Sequence, residues 1–203
     1  MAHIHEILQL TENKFVNLFN VKGTNDKGFQ SNYFVASRAK NVDELKITTK
    51  KINADGVAIY SLYGEKRDKV VLVKQYRYPI DTYVYELPAG LCEQGENYRE
   101  AAIREMHEET GLTFTPIDAD PMYEAPRFTT IGMTDEAVAA VYGYSEGTVS
   151  DKFNEASEEI EVVIADRDEV RRILKEERVA VQCAYQLMHF LHDEDPFAFL
   201  EAK

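Results

Sequence analysis

The chain has 203 residues, of which 44% are apolar and 29% charged. That is globular composition with length for a full core, which excludes disordered, collagen-like and disulfide-scaffold classes. A formal net charge of −13 repels phosphate backbones and anionic membrane surfaces, so neither nucleic acid nor membrane is an expected partner; a bridging divalent cation would still admit a phosphate compound.

The N-terminus has no basic stretch leading into an apolar run, so no signal peptide is expected, and His3 and His5 are read as part of a loose end. Lys14 to Val21 and Phe29 to Ala36 carry strand composition around a turn at Gly23 to Gly28, predicting a small antiparallel unit. Asn41 to Asp55 is polar and Lys-rich, which sets an expected boundary between an N-terminal β unit, 1–54, and a main domain, 55–203. Val57 to Tyr63 and Lys69 to Tyr76 predict a hairpin around 64–68, followed by a strand at Tyr83 to Leu87 that Pro88 ends.

Asn97 and Glu100 form a capping box opening a helix that Gly111 stops. Strands are predicted at Pro121 to Phe128, Ala137 to Tyr144 and Ile160 to Ile164. Two helices follow, one opened by Asp166 with Glu169 and running to Glu177, the other carrying Ala180, Ala184, Leu187 and Leu191 at helical spacing. The order predicts an α/β (α+β) fold: a mixed sheet covered by helices. Cys92 and Cys183 are too few for a disulfide framework, so a reducing, cytoplasmic setting is expected. His189 and His192, beside Asp193 and Glu194, read as surface partners rather than metal ligands, and Cys92 is given no catalytic role.

Seven glutamates lie between Glu86 and Glu109, opposed only by Arg99 and Arg104. Glu105, Glu108 and Glu109 stand at i, i+3 and i+4, on one narrow helix face, with Ala102, Ile103 and Met106 expected on the docking side. Two readings compete: a solvated acidic face, or a hard-cation site in which carboxylates, waters and substrate phosphates hold Mg²⁺.

The surrounding letters resolve the competition. Gly90, five residues, Glu96, seven residues, then Arg104-Glu105-Met106-His107-Glu108-Glu109-Thr110-Gly111-Leu112 matches in full the signature of the Nudix hydrolases. The chain therefore resembles that family, and the resemblance implies a loop–helix–loop box whose glutamates bind Mg²⁺, with Mn²⁺ as a possible substitute. It makes Glu105 and Glu109 metal ligands and catalytic groups, Glu108 a ligand or close neighbour, and the Ala89 carbonyl a further ligand. Gly90, Glu96, Arg104 and Gly111 would be structural positions of the box.

Gln75-Tyr76-Arg77-Tyr78-Pro79 and Tyr85-Glu86-Leu87-Pro88-Ala89-Gly90 resemble the ADP-ribose (ADP-sugar) pyrophosphatase subfamily. By that resemblance Arg77 and Glu86 contact substrate. The N-terminal unit would swap between subunits of a homodimer and stack aromatics on the adenine, with Phe29, Tyr33 and Phe34 as candidates. A loop glutamate would serve as catalytic base, for which Glu158 leads, with Glu159 and Glu155 behind it. Ile131-Gly132-Met133-Thr134-Asp135-Glu136 departs from the subfamily in having Ile131 where proline is usual, which leaves the hydrolase class intact and the preferred substrate open. The implied reaction gives AMP and a sugar phosphate from ADP-ribose or an ADP-sugar. Alternatives are another nucleoside diphosphate derivative, such as a GDP-sugar or dinucleotide, and a non-catalytic nucleotide-sensing module.

Overall fold

The computed structural model describes residues 3–154 and 158–200. The chain divides into two compact units, one made of residues up to Asp55 together with Pro126–Val138, the other of Gly56–Ala125 and the chain from Ala139 onward.

In the first unit, β1 (His3–Gln9), β2 (Asn17–Thr24) and β3 (Gln30–Ser37) form a three-stranded antiparallel sheet. The expected loose end is thus a strand. It mixes Ile4, Ile7 and Leu8 with His, Glu and Gln, without clean alternation, and it is held by backbone pairing with β2 from His3↔Thr24 to Gln9↔Phe19, which local composition does not advertise. Buried Asn17 takes an N–H bond from Asn13 and donates to the Asn13 and Ala39 carbonyls, closing the crossover into β2. The short helix α1 (Lys46–Thr49) follows, with Lys46 paired to Asp55 at 2.6 Å. Within the same unit, Tyr33 donates to the Gly132 carbonyl, Arg38 donates twice to one Glu136 oxygen, and the Ala36 N–H reaches the Met133 carbonyl.

The second unit is built on β4 (Gly56–Tyr63), β5 (Lys69–Arg77), β6 (Thr82–Glu86), β7 (Ala89–Leu91), the helix α2 (Tyr98–Thr110) and β8 (Thr113–Pro116). The one-turn helix α3 (Pro121–Glu124) ends this stretch; β9 (Arg127–Phe128) and the first two residues of β10 (Ala137–Glu146) fall in the first unit, and the rest of β10 returns to the second, where β11 (Ile160–Ala165) leads into α4 (Arg167–Glu176) and α5 (Val181–His192). The expected strand at Pro121 to Phe128 is therefore a helical turn and a two-residue strand. Asp120 caps the turn by accepting from the Met122 N–H, and Pro121 sits at the helix start, where its missing donor costs nothing.

The large sheet runs β11-β5-β4-β10-β8, with β6 on β5, β7 on β4 and β9 on β10. Its described pairings include antiparallel β4–β5 and β5–β11. β4 and β10 run the same way, because the Asp55 N–H meets the Ala137 carbonyl at one end and the Gly64 N–H meets the Ser145 carbonyl at the other. The sheet is mixed.

Alternation along β4 splits the core in two. Val57 and Ile59 face α2 and pack with Val71, Val141, Ala101, Ala102, Met106 and Phe114. Tyr60 lies on the other side, edge-on to Phe197 and Tyr142. There α4 packs on β11 and α5 on β6, burying Val170, Ile173, Leu187 and Phe190. Ile103 was expected to dock and is instead 45% exposed; Ala101 takes its place, the contact stripe lying one residue further round the helix. Each large side chain buried this way contributes about 1.5–3 kcal/mol, so α2 is seated on the sheet through its apolar stripe and its acidic residues are presented from a fixed base.

Candidate active site

The helix α2 is defined at both ends by side chains. Asn97 accepts from the Arg99 N–H at 2.9 Å while Glu100 accepts from the Asn97 N–H, a complete capping box. At the far end Gly111 adopts φ +73°, and a Cβ there would lie 2.7 Å from the Ser150 Cβ, so both the turn and the neighbour demand glycine.

Burial divides the acidic face. Glu109 is 3% exposed and accepts one bond, from the Ala89 N–H at 3.1 Å. Burial raises its pKa well above the ordinary carboxylate value; the Ala89 bond opposes this, and the charges of Glu105 and Glu158 add to it. Glu105 is also raised, first by burial, with Arg104 working against it. Glu108 leaves 40% of its side chain in solvent. Gly90 is the strand residue beneath Glu105: a Cβ on it would fall 1.9 Å from the Glu105 carboxyl carbon. The backbone approaches that carboxylate as only glycine permits.

Arg104 organises the loop and the helix together. Its Nε and Nη2 grip the two Glu96 oxygens at 2.9 Å, Nη1 reaches Glu105 at 2.8 Å and Glu108 at 2.9 Å, and Nη2 also meets the Leu91 carbonyl at 3.0 Å. All five guanidinium N–H groups are thereby used. The fork holds the Glu96 carboxyl below its usual range, and a Glu96 oxygen accepts the Glu93 N–H, closing the loop ahead of the helix.

From the sheet side, Arg77 at the end of β5 and Glu86 at the end of β6 form a two-bond pair at 2.7 and 2.8 Å. Gln75 shares the Arg77 face by strand alternation and places its Nε2 3.5 Å from Glu158. Glu158 is near enough to perturb both Glu105 and Glu109. Glu159 points elsewhere, taking a hydrogen bond from the Tyr83 hydroxyl. Glu155 lies outside the described residues. Arg77, Glu86, Ala89, Gly90, Glu96, Arg104, Glu105, Glu108, Glu109, Gly111 and Glu158 thus all belong to the second unit. Phe29, 70% exposed, and Tyr33, on β3, belong to the first.

Among the described residues no three acidic, His or Cys groups close into a ready cage for a metal. The chemistry of the set nevertheless fits a hard divalent cation. It offers carboxylate oxygens that burial and mutual repulsion leave short of positive charge, and Arg104 now stands between Glu105 and Glu108 as the cation. Two residues contribute to the site without a role assigned to them from the sequence. Gln75 opens the Gln-aromatic-Arg stretch, and its i−2 relation to Arg77 signals the shared face, whereas Asn154, which meets the end of α2 from a distant loop, has no local signal.

The NUDIX domain model matches residues 52–186. The chain is 36% identical over 122 residues to a protein named putative nudix hydrolase 2 from Caenorhabditis elegans, covering 57% of this chain and 53% of that one. It is 36% identical over 87 residues to the ADP-sugar pyrophosphatase of Mus musculus, covering 41% of this chain and 40% of that one. The chain thus spans about half the length of these curated relatives. A crystal structure described as an ADP compounds hydrolase has the same fold, with a TM-score of 0.64 at 14% identity over 92% of this chain and 90% of that one.

Proposed function

Because the chain belongs to the Nudix family, with the family's domain spanning residues 52–186, we propose that it hydrolyses the pyrophosphate bond of ADP-ribose or a related ADP-sugar, giving AMP and a sugar phosphate. The observation that carries this reading is the convergence in one unit of buried Glu109, Glu105 over Gly90, the Arg77–Glu86 pair and Glu158. The ADP-sugar pyrophosphatase likeness supports the substrate class.

Glu105 and Glu109 would hold Mg²⁺, with Glu108 and the Ala89 carbonyl beside them, and Mn²⁺ is an acceptable substitute by donor type. When bound, the cation supplies charge neutralisation for the diphosphate and acidifies a bound water. Arg77, a fork donor, binds phosphate oxygens or a base edge, and Glu86 fixes its orientation from behind while accepting substrate hydroxyls. Glu158 accepts the proton of the attacking water as the new P–O bond forms and the bond to the bridging oxygen breaks. Arg104 binds no substrate in this scheme; it holds Glu96, Glu105 and Glu108 in place.

The first unit contributes to a homodimer in this reading. Phe15, Phe29, Phe34 and Ile4 are exposed on it, more apolar surface than a small sheet ordinarily leaves in water, and Phe29 and Tyr33 are the aromatics assigned to the adenine. Two cysteines are too few for a disulfide framework, the basis on which a cytoplasmic setting is proposed; no described helix is long and apolar enough to cross a membrane.

The test is Mg²⁺-dependent turnover of ADP-ribose beside ADP-sugars, GDP-sugars, diadenosine compounds and NADH, with products separated by chromatography and Glu109→Gln as control. AMP and ribose 5-phosphate released by the wild type and not by the variant support the proposal. A different preferred compound moves the substrate, and no turnover of any compound refutes the hydrolase reading.

A further inference from the structure

An α-helix leaves its last four carbonyls without partners of its own. In α2 all four are accounted for. The Gly111 N–H takes the His107 carbonyl at 2.8 Å, and the Ser150 N–H takes that of Thr110 at 2.9 Å. The remaining two fall to one side chain. With its amide turned so that both polar atoms have complementary partners, Asn154 donates to the Glu108 carbonyl at 2.9 Å and to the Glu109 carbonyl at 3.2 Å.

The same short segment makes other contacts with this helix end. The Phe153 ring lies 4.4 Å from that of His107, and the Asn154 N–H bonds the Asp151 carbonyl, closing the turn that presents the side chain. A neutral amide suits the position. The helix end already carries partial negative charge and three carboxylates, so a donor without negative charge satisfies the carbonyls and adds no repulsion.

We propose that Asn154 is a positioning residue that fixes Glu158 relative to Glu105 and Glu109. Glu158 follows four residues later, so its Cα stays within roughly 14 Å of the Asn154 Cα. The far side is held as well: the Tyr76 N–H bonds the Glu159 carbonyl at 3.0 Å, and Ile160 pairs with Gln75 in the sheet. One end of this connection is therefore fastened to the helix bearing the metal-binding glutamates and the other to the strand bearing Arg77. The inference rests on the assignment of Glu158 as base.

The experiment is a double-mutant cycle of Asn154→Ala with Glu158→Gln in the full chain, with Mg²⁺ binding measured by calorimetry on substrate-free protein. Asn154→Ala should lower kcat about 10–100-fold, the cost of misplacing a reacting group by about an ångström, while KM and Mg²⁺ affinity stay within about threefold. In the Glu158→Gln background the same substitution should cost less than about twofold. Losses that multiply in the double variant overturn the positioning role, as does a fall in Mg²⁺ affinity parallel to kcat, which marks a simple helix cap. A Glu158→Gln enzyme as fast as the wild type removes the base assignment itself, and the proposal with it, by a result that the cycle does not confuse with the others. Asn154→Asp keeps the volume and removes the donor, and it carries the same test if the alanine variant is unfolded at assay temperature.

Discussion

Glu109→Gln should make the metal-free protein more stable while abolishing hydrolysis. The wild-type carboxylate is 3% exposed, receives one N–H bond and faces the charges of Glu105 and Glu158. An ionised group buried so costs several kcal/mol, of which one charge-assisted bond returns about 1.5–3 kcal/mol. Gln keeps an oxygen for the Ala89 N–H and needs no charge buried, so the net gain is about 2–3 kcal/mol, a rise in Tm of about 4–12 °C for a chain of this size. The sign with pH follows from the raised folded-state pKa. Below the ordinary carboxylate value both states are protonated and Glu109 costs nothing. As pH climbs from that value to the raised one, the folded state holds the extra proton and wild-type stability falls, and the whole penalty is present above the raised value. Thermal melts in EDTA at about pH 8 should therefore favour the variant, the gap should close near the ordinary carboxylate pKa of about 4.3, and saturating Mg²⁺ should reverse the order by stabilising only the wild type. A variant melting below the wild type in EDTA at about pH 8 would refute the claim that Glu109 is a strained, cation-seeking group.

Arg77→Ala should raise KM for the nucleotide substrate by about tenfold or more while leaving Tm within a few degrees, since the Arg77 side chain is itself exposed; initial rates across substrate concentration decide it. Gly90→Ala must drive the Glu105 carboxyl off its site and should cost about 10–100-fold or more in Mg²⁺ affinity, read by calorimetry with circular dichroism confirming the fold. Gly111→Ala combines φ +73° with a clash on Ser150 and should destabilise by about 1–3 kcal/mol, seen as a lowered denaturation midpoint. Light scattering should return twice the chain mass of 23.2 kDa, and a monomer would remove the homodimer from the proposed function.

What the sequence disclosed was whatever its signals could fix locally. The helix α2 was legible at both ends because Asn97, Glu100 and Gly111 act within a turn of one another. The hairpin around 64–68 was legible for the same reason, with strands β4 and β5 rich in Val, Ile and Leu. β1 was missed because its mixed polar and apolar residues show no clean alternation and gain their structure from pairing with β2, from His3↔Thr24 to Gln9↔Phe19. β7, three residues with a central glycine, shows no propensity at all and exists through pairing with β4. The spacing of Glu105, Glu108 and Glu109 put them on one face, but their division into buried and exposed depends on where β7 lies, which no helical wheel contains. The one-turn helix at Pro121 was within reach: Asp120 before a proline is a start signal, overridden there by the apolar letters that follow.

The route of the chain has a consequence for how this protein can be divided or inherited. The backbone crosses between the two units three times, at Asp55/Gly56, Ala125/Pro126 and Val138/Ala139. A gene fragment beginning at Gly56 would still encode Pro126–Val138, yet it would lack Tyr33, Arg38 and Ala36, which bind Gly132, Glu136 and Met133. The N-terminal sheet is thus no cassette that recombination can deliver or remove at one splice. An exchange of this unit between relatives would have to transfer two separated stretches together, and insertions are better placed in the turn around Gly64 than at the boundary that looks simplest on the linear map.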